Sequence, residues 1–222
     1  MGFTGHMTMS ADDLLRLHRK PDRAHDARAD LDAVLDAMLI GTLSTVVDGL
    51  PWAVPTLYAR DGDHLLLHGS TGAGAFRQVA AGAPAAFTVA SLDAIVVADS
   101  LFDHSANYRS AVVRGQLEPV PEEEQWDALI SLSERLLPGR PAEVVDMTRK
   151  ELAATLTLRM PIIDGNWIVK IRSGGAGAAD RDPEAWRGVV PLQEVWGDPV
   201  PEPDRVDQPL PDSVRRLRGT RN

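Results

Sequence analysis

The sequence predicts a mainly β domain, a small antiparallel barrel with a few helices packed around it. Three observations predict it. Runs of branched apolar residues are separated by tight-turn signals, Asp48-Gly49 and Asp61-Gly62-Asp63, which join antiparallel neighbours. Helical spacing is confined to a few short segments between those runs. No internal repeat or interdomain linker interrupts the 222 residues, a length that suits one well-buried domain with tails. Closing short strands into a barrel removes open edges, and helices cover its ends. Spacing alone leaves a β-sandwich open.

The elements follow in order. Residues 1–29 are polar and read as a tail or a short surface helix. The domain proper spans 30–197. Asp30 has the character of an N-cap, and Leu31, Val34, Leu35 and Met38 follow at helical spacing. A strand is predicted over 40–47, and its return over 52–59. Pro51 and Pro55 are awkward in that return strand because proline donates no ladder hydrogen bond; Pro55 signals an edge, a bulge or a ligand contact. A third strand covers 64–68. A glycine-rich loop then leads into a helix over 75–81, ended by Gly82. Strands are predicted over 85–90, 94–98 and 108–117, with a polar loop over 99–107. Pro121 and three glutamates open a helix that carries Trp126, Leu129, Leu132 and Leu136 and stops at Pro138-Gly139. Thr148 and Glu151 form a capping-box pair for a helix near 152–156. The last clear strand is 167–171. From 198 to 222 prolines and charges dominate, and the segment reads as a mobile or draped tail.

Composition excludes several functions. The net charge of -9 disfavours nucleic acid and anionic membranes, and only 5% of residues are aromatic, too few for a stacking surface for single strands. There is no cysteine, hence no disulfide, thiolate zinc site or cysteine nucleophile, in keeping with a cytoplasmic setting. No run approaches the length of a membrane span, and charges from Asp12 to Lys20 break any signal-type apolar stretch.

The segment His64 to Arg77 carries the most chemistry. A strand runs into Gly69-Ser70-Thr71-Gly72-Ala73-Gly74 and then into a helix bearing Arg77. Glycines let backbone N–H groups approach a phosphate, Ser70 and Thr71 offer hydroxyls, and Arg77 offers a cation. An ordinary strand-to-helix turn explains the pattern about as well. It is not a Walker loop, because Ala75-Phe76 stand where Lys-Ser/Thr is needed, and it lacks the third glycine of a dinucleotide fingerprint. The stretch Asp99 to Ser110 is dense in hydrogen-bonding groups, and Arg109, opening an apolar strand, demands an anionic partner, either a ligand or a structural carboxylate. His64 and His68 fall on one side of a strand. With Asp99, Asp103 and His104 they lack any recognised metal-ligand spacing.

The order Gly41-Thr-Leu-Ser-Thr45, Asp48-Gly-Leu-Pro-Trp52, Val54-Pro-Thr-Leu-Tyr58, Leu67-His-Gly-Ser70 and Ser105-Ala-Asn-Tyr-Arg-Ser110 resembles the pyridoxamine 5'-phosphate oxidase-like family. The nearest branch is that of flavin-nucleotide-binding proteins related to nitroimidazole reductases. Pro138-Gly-Arg140, Glu151-Leu-Ala-Ala-Thr155, Lys170-Ile-Arg172 and Trp186 to Leu192 agree as well, so the resemblance spans roughly 16–200. It implies a split β-barrel that forms a homodimer with FMN at the interface. By the matching positions, Val54, Pro55 and Thr56 line the flavin. His68, Gly69, Ser70 and Arg77 hold its phosphate or ribityl chain, and Tyr108, Arg109 and Ser110 approach from a later strand. Lys170 and Arg172 lie near the cofactor or the dimer contact. The small residues around Ala73-Gly74 depart from the family, which often places a basic or hydroxyl residue there. The function implied is an FMN-dependent oxidoreductase acting on a small molecule, with no catalytic side chain named. A non-enzymatic flavin carrier shares every motif, and a haem or deazaflavin ligand is a further alternative, with His68 or His104 as the haem ligand.

Overall fold

Two consecutive left-handed residues, Asp48 (φ 51°) and Gly49 (φ 77°), make the hairpin turn that the Asp-Gly pair predicts. The computed structural model describes residues 21–70, 72, 74–177, 182 and 184–219. Thr71 and Ala73 of the glycine-rich loop, and the tail before residue 21, lie outside them. The elements are β1 (Ala24–His25), α1 (Arg28–Ala37), β2 (Ile40–Val47), β3 (Leu50–Asp61), β4 (His64–Ser70), α2 (Gly74–Ala80), β5 (Ala85–Val97) and β6 (Ser105–Gly115). There follow β7 (Glu118–Pro119), α3 (Gln125–Leu136), α4 (Arg149–Ala154), β8 (Thr155–Pro161), β9 (Trp167–Arg172), β10 (Gly188–Pro191) and α5 (Asp212–Leu217).

The strands form a 10-stranded antiparallel sheet in the order β1-β9-β6-β5-β2-β3-β4-β8-β7, with β10 on β5. Alternation decides what each side carries. Val54, Leu43, Phe87, Val113 and Trp167 form one continuous cross-strand row facing inward. That row shares its core with Leu65, Leu67, Leu158 and Met160 from the other end of the sheet. The sheet therefore curls until its two ends bury one core, which is the split-barrel architecture. Leu31, Val34 and Leu35 of α1 plug that core. The buried Tyr58 hydroxyl donates to the Leu35 carbonyl at 2.6 Å, and burial pushes its pKa far up.

The prolines of β3 now have an explanation. Pro51 and Pro55 sit within an unbroken β2–β3 ladder, and β4 pairs only with Tyr58–Asp61. Both pyrrolidine nitrogens have the same parity, so they fit the edge that β4 leaves open.

Three expectations are corrected. The cap of α1 is Ala27, and Asp30 lies in the first turn, where its carboxylate is bonded to His25 at 2.9 Å. The strands expected over 85–90 and 94–98 are one strand, β5, bent by a bulge between Leu92 and Ala94. The Thr148–Glu151 capping box is present in both directions, but its helix is 149–154, and 155–161 is a strand that alternating Leu156, Leu158 and Met160 could have revealed. The C-terminal segment is draped: α5 docks through Ser213, whose N–H and hydroxyl both donate to Glu143.

Candidate functional site

The outward side of the sheet has two regions. On β3, β2, β5, β6 and β9 one cross-strand row runs Pro55, Thr42, Thr88, Val112 and Ile168. A neighbouring row runs Ala90, Ser110, Lys170 and Ala24. Hydroxyl, small and branched apolar side chains thus pave this part of the outward side, with Lys170 as its one cation.

One margin of this surface is basic. Tyr108 sits between Arg23 and Lys170, with the Lys170 ammonium 5.7 Å from its ring centroid. Burial alone would raise the Tyr108 phenol; hydrogen bonds from Lys170 and Arg23, with their charges, outweigh it and hold the pKa below its ordinary value. Neither cation has a carboxylate partner among the described residues. Arg172, paired with Tyr108 across the ladder, donates to the side chain of Asn107.

The second region lies where β3 passes on to β4. Leu57 and His68 point outward beneath α3, and with Leu129, Leu132, Leu136 and Met147 they line a cavity of about 310 Å³. No charged residue among the described ones lines it. Burial pulls the His68 pKa below its ordinary value. Across the β4–β8 ladder His68 faces Thr157, a residue only 3% exposed whose hydroxyl has no hydrogen-bond partner.

The profile described as pyridoxamine 5'-phosphate oxidase matches residues 27–165. The chain belongs to this family. The chain is also similar to solved structures of two proteins along nearly their whole length. An FAD and heme binding protein from Mycobacterium smegmatis is 44% identical, with a TM-score of 0.86 over 89% of this chain and 98% of that one. The flavocytochrome Anf3 from Azotobacter vinelandii is 25% identical, with a TM-score of 0.84 over 95% and 99% of the two chains. A 5-nitroimidazole antibiotic resistance protein from Bacteroides thetaiotaomicron shares the fold at 16% identity, with a TM-score of 0.56 over 67% and 86%. No curated protein matches the chain.

The residues that the family resemblance singled out separate in three dimensions. Pro55, Tyr108 and Ser110 reach the paved face or its margin. Val54 packs against the barrel core, and Thr56 lies on the same inward-facing parity. Gly69 and Ser70 end β4, where the Ser70 hydroxyl accepts from the Gly72 N–H at 3.2 Å. Arg77 is exposed on the seven-residue α2, with no ion pair among the described residues. Arg109 is held by Asp93. His68 belongs to the cavity. His64 shares its side of β4 but lines a separate hollow with Asp127 and Arg159, and His104 is tied to the Ser100 carbonyl at 2.6 Å. Among the described residues no cluster of His, Asp and Glu has metal-binding geometry, and no helix is long and apolar enough to cross a membrane. Sequence reasoning missed Thr42, Thr88 and Thr157, whose signal was hydroxyls alternating with core residues.

Proposed function

We propose that the chain is a homodimeric flavoprotein that carries electrons to or from a small molecule. The paved face with its basic margin is the observation that carries this reading. Its hydroxyls and small side chains fit an isoalloxazine ring, and Arg23, Lys170 and the exposed Arg77 supply cations with no carboxylate partner among the described residues. The flavin would supply the redox chemistry; the protein holds and orients it. Its FMN half is common to FMN and FAD, and the name of the Mycobacterium smegmatis relative favours FAD.

The dimer is supported by what the same face exposes: Ile40 at 61%, Val46 at 60% and Ile95 at 46%. Exposed apolar side chains spread over one face gain from a cover, and a second copy would both hide them and close the flavin site. The test is fluorescence titration of the purified protein with FMN and with FAD, beside Lys170→Met and Arg77→Ala. Tight binding weakened in both variants supports the reading; failure to bind either flavin overturns it.

A second cofactor, haem, belongs to the same reading, because both full-length relatives are named for haem or cytochrome. A largely apolar cavity with one imidazole on its wall favours it.

A further inference from the structure

We propose that residues 196–219 form a latch. Ser213 gripping Glu143 holds the connection between α3 and α4 in place as a wall of the cavity, and release of that grip lets the wall swing aside and admits a ligand. The latch works whatever molecule the cavity takes.

The connection, residues 137–148, carries one cavity-lining side chain, Met147, and starts from another, Leu136 at the end of α3. Met147 also packs against the buried cluster that contains Leu129 and Leu132. Little else fixes this stretch. Val144 and Val145 are exposed, so apolar burial contributes almost nothing between Pro141 and Met147. Its own hydrogen bonds are local. The Gly139 N–H donates to the Glu134 carboxylate at 2.7 Å, and the Glu143 N–H donates to the Arg140 carbonyl at 2.9 Å. Among the described residues, its hydrogen bonds to a distant part of the chain come from Ser213 alone. The Ser213 N–H lies 3.1 Å from one Glu143 oxygen, and the Ser213 hydroxyl lies 2.5 Å from the other. Arg216 leans on the same connection: a Cβ on Gly139 would stand 3.3 Å from its guanidinium.

The segment that carries Ser213 is closed on itself. The Gly219 N–H donates to the Trp196 carbonyl at 3.1 Å, and Arg218 pairs with Asp198. Pro199, Pro201, Pro203, Pro209 and Pro211 stiffen the chain between these ends. The segment therefore keeps its shape when the grip fails, and only the grip has to break. Ser213 is the one buried residue of α5, so no apolar helix face opposes release. Two charge-assisted hydrogen bonds keep such a latch mostly shut. They are few enough that it opens locally, without unfolding the barrel.

The experiment places one thiol in the full-length protein, which has no cysteine of its own. Leu129→Cys puts it on the cavity wall, and Val89→Cys puts it in the barrel core as a control. Each is combined with Ser213→Ala, which removes one of the two bonds, and with Ser213→Glu, which sets a second carboxylate against Glu143. Hydrogen exchange follows α5 and residues 139–147, and a chromogenic disulfide reagent follows the thiol. In Ser213→Glu the protection of α5 should fall by about tenfold or more, the fold-change of losing a charge-assisted hydrogen bond. The thiol at 129 should react faster in proportion, with the thiol at 89 unchanged, and Ser213→Ala should fall between wild type and Ser213→Glu. Loss of protection in α5 with an unchanged rate at 129 overturns the proposal, because the wall then stands without the latch. Equal acceleration at 89 and 129 overturns it too, since the whole barrel has loosened. Unchanged protection of α5 in Ser213→Glu removes Ser213 and Glu143 as the grip.

Discussion

Arg109 and Asp93 form a forked ion pair across the β5–β6 ladder. The guanidinium Nη2 lies 2.8 Å from one carboxylate oxygen, and Nε lies 3.0 and 3.1 Å from the two. The bulge between Leu92 and Ala94 makes this pairing, because Asp93 is the extra residue whose side chain it re-aims. Asp93 is therefore the structural carboxylate that an arginine at the head of an apolar strand demands. Replacing Arg109 by alanine should cost stability rather than flavin. Both side chains are about a third exposed, so solvent screening limits the pair to about 1 kcal/mol. A drop in Tm of about 2–4 °C is expected, with flavin affinity changed far less than in Lys170→Met. Thermal melts and flavin titrations of the two variants check it.

Lys170→Met removes a cation that no carboxylate among the described residues holds. Loss of a charge-assisted contact costs about 1.5–3 kcal/mol, so flavin affinity should fall by about tenfold or more. Since Lys170 also stacks on Tyr108 and lowers its pKa, the Tyr108 phenol should titrate at higher pH in the variant. Ultraviolet difference titration of the tyrosines reads that shift without any cofactor.

Much of the fold was legible and less of the site. Turns and alternation are local properties, so β2, β3, β4 and β6 could be read from Asp48-Gly49, Asp61-Gly62 and the period of two. The bulge at Asp93 answers to Arg109 on the neighbouring strand and β8 pairs with the distant β4, so local pattern gives only a hint of either, such as the alternation of Leu156, Leu158 and Met160. The site suffered more. Family motifs name stretches of chain, but a strand sends neighbouring side chains to opposite faces. Val54 went to the core, Pro55 to the paved face and Leu57 to the cavity, so one motif serves three environments.

Gly41 is required by packing. It lies on the inward row, and a Cβ there would stand 2.2 Å from the Phe87 ring. That ring meets Tyr58 edge-on at 4.8 Å, and Tyr58 is fixed in turn by Leu35, so the aromatic pair cannot retreat. Gly41→Ala should destabilise by about 1–3 kcal/mol, the cost of overpacking a well-filled core. Chemical denaturation should show the loss with an unchanged m-value.

The docking of α5 should be sensitive to acid. Hydrogen bonds from the Ser213 hydroxyl and N–H hold the Glu143 carboxyl below its ordinary value, with Arg140 adding to the effect. A depressed folded-state pKa means that this contribution is complete above the ordinary carboxyl value, about 4.3, and is lost as pH falls through the folded-state value. Hydrogen exchange at Ser213 and the α5 amides should therefore lose protection selectively below about pH 4, before the barrel opens. In Glu143→Gln the protection of the same amides, taken relative to their intrinsic exchange rates, should change little with pH.

The exposed apolar side chains of the paved face make the dimer testable separately from the cofactor. Ile95 on β5 is 46% exposed and lies beside Val190 of β10, itself 51% exposed, while Ile40 and Val46 project from β2 on the same outward side. A carboxylate placed among them costs nothing in a monomer, because the position already faces water. In a symmetric dimer it is buried, desolvated and brought near its own copy. Ile95→Asp should therefore leave the melting temperature of the isolated barrel nearly unchanged while shifting light-scattering mass from dimer to monomer. If the second copy also closes the flavin site, the same variant loses flavin affinity although residue 95 is not among the residues assigned to the ring. A monomeric wild type would remove the dimer. A dimer untouched by Ile95→Asp would move its interface to another face of the barrel.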